Sequence, residues 1–236
     1  LPICFDQFVL MYNAEKDNAH VFLKFWNSDG STSSTCGNAT RCVADIIMNE
    51  TGLDSVNIAT SAEKIKCLKL NNGQISTNLG IPKTAWNDIP LSEKCDTRKL
   101  PIEGNPIATS IGNPHCTFFV DNLNQFSISK IGQETEINPL FPNKTNVQIA
   151  EVVDDGKIKV KVWERGSGIT MASGSSACAV AFSAKRLNLT KDSVKIILDG
   201  GVVDVHCKDD GVWVSGDIKY VFSGKISSLL FDDRNN

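Results

Sequence analysis

One short pattern occurs twice in this 236-residue chain. A strand-like run leads into a polar, glycine-containing turn, which is followed by a small residue, a glycine and a helix-like segment. The first copy spans residues 27–49, and the second spans 164–185, about 137 residues further along. A single glycine-rich turn is common, but two copies with matching residues on both sides indicate an internal duplication. We therefore expect two related halves, with a boundary in the stretch 80–90, which contains glycine and proline.

Both copies of the pattern predict a helix. Residues 38–49 carry apolar side chains at helical spacing and precede Gly52, a suitable C-terminal cap. The apolar positions that we place on one face are Cys42, Val43, Ile46 and Ile47. Residues 175–185 are mostly small, so strands can surround this second helix closely on all sides. Apolar and polar residues alternate in runs such as 21–26 and 157–163, which predicts strands.

Charge and cysteine usage exclude several classes of protein. The net charge is −3 and the pI is about 5.7, so the chain lacks the basic character of a nucleic-acid binder. No apolar run approaches the ~20 residues that a membrane-spanning helix needs. The eight cysteines are scattered without the close spacing of metal ligands, so we expect reduced thiols and no metal site. We expect a cytoplasmic protein that binds neither nucleic acid nor membrane.

The start of each predicted helix is a candidate anion site, because a helix N-terminus exposes unpaired N–H groups and a positive dipole end. Cys36 precedes the first helix, and Ser173 precedes the second. If the two starts face each other, backbone amides from both would hold a carboxylate. Those amides belong to Gly37, Asn38, Gly174 and Ser175. The same field lowers the pKa of a thiol from about 8.5, so we expect Cys36 to be reactive rather than a buried structural cysteine.

Five blocks of sequence, in order, resemble the diaminopimelate epimerase family. They are residues 27–31 with 36–44, then 112–116, 145–147, 163–166 and 200–224. The resemblance covers essentially the whole chain. It implies an α/β (α+β) fold of two pseudosymmetric halves, each a barrel-like, mostly antiparallel sheet around a central helix. We expect residues 1–82 to form the first half, rejoined by 223–236, and residues 83–222 to form the second.

The resemblance also implies an activity, the cofactor-free interconversion of L,L- and meso-diaminopimelate in lysine biosynthesis. In that two-base reaction, one thiolate removes the α-proton while a thiol on the opposite face donates another, and the substrate carboxylate takes up charge. By resemblance, Cys36 is one acid/base, Ser173 stands where the family has its second catalytic cysteine, and His115 and Glu164 tune the catalytic thiols. The residues implied to bind the substrate are Gln7, Asn27, Asn113, Asn146, Glu164 and Arg165, together with the helix-start residues Gly37, Asn38, Gly174 and Ser175.

Two features depart from the family pattern and leave alternatives open. Ser173 removes one of the two thiols, which predicts an impaired epimerase. The chain also opens at Leu1 in strand-like sequence, so we expect the family's first block to be missing. One alternative is an enzyme of the related proline racemase group that dehydrates hydroxyproline, and another is an inactive paralogue that binds an amino acid. The asparagines at positions 27, 113 and 146 favour the diaminopimelate branch, and a homodimer is a further expectation.

Overall fold

The computed structural model describes residues 5, 7–14, 18–28, 30–33 and 36–225. The first half contains β1 (Gln7–Asn13), β2 (Val21–Asn27), β3 (Thr32–Ser33), α1 (Gly37–Thr51), β4 (Ser55–Ala59), β5 (Lys64–Lys69) and β6 (Ile75–Asn78). The second half contains β7 (Ile107–Ser110), β8 (Pro114–Phe119), a 3-10 helix (Leu123–Gln125), α2 (Ile128–Glu136), β9 (Asn146–Asp154), β10 (Lys157–Glu164), β11 (Gly168–Thr170), α3 (Gly174–Arg186), β12 (Ser193–Leu198), β13 (Gly201–Lys208) and β14 (Gly211–Gly216).

The two halves share one connectivity, which confirms the predicted duplication. In each half an antiparallel pair, β1–β2 or β9–β10, continues into a short strand, β3 or β11, that pairs back on it. A helix follows, α1 or α3, and the next strand, β4 or β12, lies parallel to β2 or β10. Two more antiparallel strands complete each unit. β7 and β8 extend the second half beyond β9 and have no counterpart in the described part of the first half.

All strands belong to one continuous sheet, and the halves meet where β6 pairs with β14. This seam is antiparallel, with Ile75 opposite Gly216 and Thr77 opposite Val214. β6 and β14 are the last strands of their units, so the seam joins equivalent strands of the two halves. The whole sheet therefore folds into the two barrel-like halves that the resemblance implies.

α3 is the central helix of the second half. It contacts strands β7–β10 and β12–β14, and all residues from 176 to 184 are buried except the half-buried Phe182. The alanines along α3 allow this close approach of strands from every side. The prediction of a small-residue helix inside a barrel is confirmed.

α1 packs against β4, β5 and β6 through a face that overlaps only partly with the predicted one. Val43, Ala44, Ile47 and Met48 are buried, so the prediction is right for Val43 and Ile47. Cys42 and Ile46 are exposed, and for them the prediction is wrong. The buried stripe includes Ala44 and Met48 because the sheet residues Leu23, Phe25 and Ile58 form the surface that α1 covers. Gly52 caps the helix in the left-handed conformation (φ 73°), as predicted.

The C-terminal stretch leaves β14 on the side of the first half. Ile218 packs against the first-half core, and the side-chain amide of Gln74 donates to Asp217 at 3.0 Å. Of the segment expected to rejoin the first half, residues 226–236 lie outside the described residues. Among the helices of the described chain, none has the length and apolar content needed to cross a membrane.

Candidate active site

Cys36 and Ser173 occupy equivalent positions as the N-terminal caps of α1 and α3. Cys36 has φ −148° and ψ 106°, and Ser173 has φ −146° and ψ 120°. The Cys36 sulfur accepts from the Ala39 amide at 3.4 Å, and the Ser173 hydroxyl accepts from the Ser176 amide at the same distance. Both side chains thus satisfy one unpaired N–H group of their helix. The two predicted helix starts are confirmed to within one residue.

The two capped helix starts meet each other across the halves. A Cβ atom placed on Gly174 would lie 3.9 Å from the Cα atom of Gly37, so the first turns are in van der Waals contact. This contact brings together all four residues whose amides were predicted to bind an anion, Gly37, Asn38, Gly174 and Ser175. Two converging N-termini provide backbone donors and two positive dipole ends for one carboxylate.

The thiol of Cys36 is half-buried, and this changes its expected acidity. Burial raises the pKa of Cys36 above the ordinary value of a thiol, although the amides of Ala39 and Asn38 and the charge of Arg41 act to lower it. The negative charge of Glu164 raises the pKa of Cys36 further. The expectation of a net lowering was therefore wrong, because the loss of hydration outweighs the helix end.

The turn after β10 carries the two predicted residues Glu164 and Arg165. Asn146, at the start of β9, accepts from the backbone N–H of Arg165 at 3.0 Å and donates its own amide to the Pro114 carbonyl at 2.9 Å. The Arg165 guanidinium is exposed and donates one N–H to the Asn143 carbonyl at 3.1 Å. Asn146 therefore fixes the backbone of the turn and leaves further guanidinium donors for a ligand.

Glu164 links the two halves of the site electrostatically. Its carboxylate accepts from the hydroxyl of Thr170 at 3.2 Å, and its charge acts on the thiol of Cys36. Glu164 belongs to the second half, so its charge acts on the Cys36 thiol across the two halves.

His115 is fully buried and holds Asn113. Gln148 donates from Nε2 to His115 Nδ1 at 3.0 Å, so the ring proton lies on Nε2 and is directed at Asn113 Oδ1 at 2.8 Å. Burial, together with the charge of Arg165, lowers the pKa of His115 to about 3. A neutral ring with both nitrogens engaged orients Asn113 and does not exchange protons at neutral pH.

Gln7 and Asn27 form a pair on the first half. They lie opposite each other in β1 and β2, and the Gln7 side-chain amide donates to Asn27 Oδ1 at 3.1 Å. Asn27 ends β2 as Glu164 ends β10, while Gln7 begins β1 as Asn146 begins β9. Four predicted substrate-binding residues therefore occupy two pseudosymmetric pairs of positions.

Three polar residues with a role at the site were not among the predictions. Gln148 donates to Ser176 Oγ at 3.0 Å as well as to His115, and so connects that ring with the capped turn of α3. Glu136 accepts from the backbone N–H of Gly166, and Arg41 donates to Asn38. The strand alternation around Gln148 was the one available signal, because it places this glutamine in a strand with buried neighbours.

The described cysteines are all free thiols. Within the described ranges, histidine, cysteine, aspartate and glutamate side chains form no group of three or more that could hold a metal ion.

Comparisons with known proteins show which family the chain belongs to. The family model for diaminopimelate epimerase matches residues 107–221. A diaminopimelate epimerase of Acidiphilium cryptum is 39% identical over 231 residues, which cover 95% of this chain and 82% of that protein. The diaminopimelate epimerase of Pelagibacter ubique is 44% identical over 200 residues, which cover 81% of this chain and 72% of that protein.

Solved structures with the same fold have little sequence similarity. A predicted epimerase from Pseudomonas aeruginosa has a TM-score of 0.63 at 14% identity and covers 89% of this chain and 80% of its own. A probable proline racemase from Agrobacterium radiobacter has a TM-score of 0.64 at 12% identity and covers 96% of this chain and 77% of its own. At these identities the likeness supports the two-barrel fold alone.

Proposed function

Because this chain belongs to the diaminopimelate epimerase family, we propose that it moves the α-proton of diaminopimelate without a cofactor, slowly as long as residue 173 is serine. The observation that carries the proposal is the contact between two equivalently capped helix starts, one with a thiol and one with a hydroxyl. Such a site can hold an α-carboxylate between the helices with an acid/base group on each side.

The reaction begins with the α-carboxylate at the amides of α1 and α3. When the Cys36 thiolate takes the α-proton, the C–H bond breaks and its electron pair moves toward the carboxylate, which becomes an enediolate. The amides of Gly37, Asn38, Gly174 and Ser175 are positioned to stabilise this added charge. A proton returned from the Ser173 side inverts the carbon, and a proton returned by Cys36 restores the starting isomer.

The far end of the substrate carries an ammonium and a second carboxylate. The Arg165 guanidinium has donors left for that carboxylate, and the amides of Asn27, Asn113 and Asn146 have the polarity to fix its orientation. Held at both ends, the substrate would present one α-carbon to the two caps.

Ser173 limits the inversion step. A hydroxyl is a much weaker acid than a thiol, and each unit of pKa difference costs about 1.36 kcal/mol. A helix N-terminus contributes only ~0.3–2 kcal/mol, which is too little to make the serine an effective acid or base. We expect slow epimerisation, with proton exchange through Cys36 for the isomer whose α-hydrogen faces that thiol.

The test is a deuterium-exchange assay in D₂O with L,L- and meso-diaminopimelate, followed by mass spectrometry and separation of the isomers. Ser173→Cys should raise the epimerisation rate by orders of magnitude, and Cys36→Ser should abolish exchange. Ser175→Cys is the matched control, because it adds a thiol two residues after the cap and not at the cap itself, and it should give no such gain. Rapid epimerisation with Ser173 in place would contradict the two-thiol account.

The same assay distinguishes an epimerase from the two alternative functions. Loss of water from hydroxyproline would support a dehydratase, and binding of diaminopimelate without exchange in every variant would support an inactive paralogue. Either result would overturn the proposed function. Relatives that are 39% and 44% identical carry the name diaminopimelate epimerase, which favours that substrate.

We also propose that the enzyme is a cytoplasmic homodimer. Among the described residues, strand β1 exposes Phe8, Leu10, Met11 and Tyr12, an apolar surface of the kind that supports self-association. Sedimentation equilibrium should give twice the 25.7 kDa of one chain, and the mass of a single chain would contradict the dimer.

A further inference from the structure

Arg41 is a buried cation that contacts Asn38 in the first turn of α1. Only 4% of its surface is exposed, and its guanidinium turns back toward the first turn of α1, where Nη2 donates to Asn38 Oδ1 at 2.7 Å. The other two nitrogens, Nε and Nη1, are buried without a hydrogen-bond partner. Buried donors without partners are rare in folded proteins and call for an explanation.

The surroundings of Arg41 leave its charge uncompensated. Within the part of the chain that the structure describes, Arg41 takes part in none of the ion pairs. Burial lowers the pKa of Arg41, and the ionisable groups that act on it are thiols, those of Cys42, Cys178, Cys36 and Cys67. A guanidinium stays protonated in proteins, so this is a positive charge held in the interior without a carboxylate.

The seam between the halves makes room for this charge. A Cβ atom on Gly216 of β14 would lie 3.6 Å from Arg41 Nη2, so the guanidinium packs against glycine backbone where the two halves join. Arg41 therefore lies at the junction of α1 and the seam, close to the Cys36 cap.

Arg186 shows how an arginine with a structural role is bound in the same fold. From the far end of α3, its Nη1 donates to the Ala108 carbonyl at 2.9 Å and its Nη2 to Thr97 Oγ1 at 3.1 Å. Arg41, although more deeply buried, has one acceptor only. A structural contact alone does not account for that difference.

We propose that Arg41 is a positioning residue that holds Asn38 and supplies the buried positive charge for the anions formed at the two helix starts. Those anions are the thiolate of Cys36 and the carboxylate that gains charge when the α-proton leaves. The part that concerns the carboxylate rests on the proposed function, whereas the part that concerns the thiolate stands without it. At low dielectric, a fixed charge close to both groups acts strongly on each of them.

The first experiment measures the pH dependence of Cys36 alkylation by iodoacetamide, followed by peptide mass spectrometry. Arg41→Met removes the charge and should raise the thiol pKa of Cys36 by about one unit, a tenfold loss of thiolate below the pKa. Arg41→Lys should restore most of the wild-type profile. Glu164→Gln should move the profile the other way, because Glu164 and Arg41 are the charged groups that face Cys36. Arg186→Met is the matched control and should leave the profile unchanged.

The second experiment uses the Ser173→Cys enzyme, in which turnover is measurable. Arg41→Met should lower kcat more than it raises KM, because the charge on the substrate grows as the proton leaves. Arg41→Met should fold, since an apolar side chain replaces a buried unpaired charge without a cost in stability. An unchanged Cys36 profile in folded Arg41→Met, or failure of this variant to fold, would overturn the proposal. A shifted profile without epimerase activity in any variant would overturn the proposed function and keep the role of Arg41 toward the thiol.

Discussion

Arg165 provides the clearest residue-scale test of how the distal end of a substrate is held. Its backbone is fixed by Asn146 and one guanidinium nitrogen by Asn143, which leaves the other guanidinium donors for a ligand. A lysine cannot offer two parallel donors, so Arg165→Lys in the Ser173→Cys enzyme should raise KM for diaminopimelate about tenfold or more and change kcat less. Steady-state kinetics would measure this, with Lys161→Arg on β10 as the control. Equal effects of the two substitutions would contradict the assignment.

The sequence predicts the position of an individual residue well where its neighbours along the chain determine that position. The caps Cys36 and Ser173 could be identified because each is followed by a glycine and a helix. Arg41 could not be identified, because an arginine inside a helix is normally on its solvated face. Only the folded structure shows that β14 covers that face of α1. The acidity of Cys36 was mispredicted for the same reason, since burial is a property of the fold.

At the scale of elements, the C-terminal end of α2 supports the turn that carries Arg165. Glu136 ends this helix and accepts from Trp163 Nε1 at 2.7 Å and from the Gly166 N–H at 3.0 Å, and it pairs with Lys144 at 3.3 Å. Glu136→Ala leaves the indole and the Gly166 amide without their acceptor and should destabilise the protein by about 1–3 kcal/mol. Thermal unfolding would show this, and KM should rise because the turn loosens. Glu134→Ala, an exposed neighbour on α2, should do neither.

The contribution of Glu136 should also depend on pH. Burial would raise the pKa of Glu136, but hydrogen bonds from Trp163, Gly166 and Lys144 outweigh it and hold the pKa below its usual 4.5. A lowered carboxyl pKa in the folded state stabilises the protein above the unfolded value and loses this effect as pH falls through the folded value. The stability gap between wild type and Glu136→Ala should therefore be full above about pH 4.5 and shrink at lower pH. A gap that widens on acidification would contradict the account.

α2 itself was absent from the sequence-based prediction. It has nine residues, and its buried positions, such as Ile128 and Thr135, do not form a continuous apolar stripe. Its packing is decided by a distant residue, because Gly132 lies directly against the ring of Trp163. A short helix of this kind gains its stability from tertiary contacts, which the local pattern does not contain.

At the scale of the whole molecule, the duplication determines most of the architecture. Recognition of two equivalent strand–turn–helix units leads to two related halves, whereas the barrel-like sheets around central helices were implied by the family resemblance. The way in which the barrels join was not evident, because Ile75–Asn78 and Gly211–Gly216 are ordinary short strands until they pair. The site lies between the halves, so the seam determines how the Cys36 cap meets the Ser173 cap.

Gly211 tests this dependence of the site on the seam. It begins β14 with φ +133°, a conformation that strains other residues, and a Cβ atom there would collide with Asn78 Oδ1 and lie 2.6 Å from the Gly80 carbonyl oxygen. That oxygen accepts from the Val212 amide at 2.9 Å, so the collision would force β6 and β14 apart. Gly211→Ala should lower stability by about 1–3 kcal/mol.

In the Ser173→Cys enzyme, Gly211→Ala should also lower kcat/KM, because the two helix starts lose their fixed separation. Gly156→Ala is the control, since its added Cβ would lie 3.6 Å from an exposed aspartate oxygen in the β9–β10 turn, away from the seam. Denaturant unfolding would measure the stability of both variants, and steady-state kinetics would measure their kcat/KM. If Gly211→Ala is less stable but has the kcat/KM of the parent enzyme, the geometry of the two caps is set by the direct contact of α1 with α3 and not by the seam.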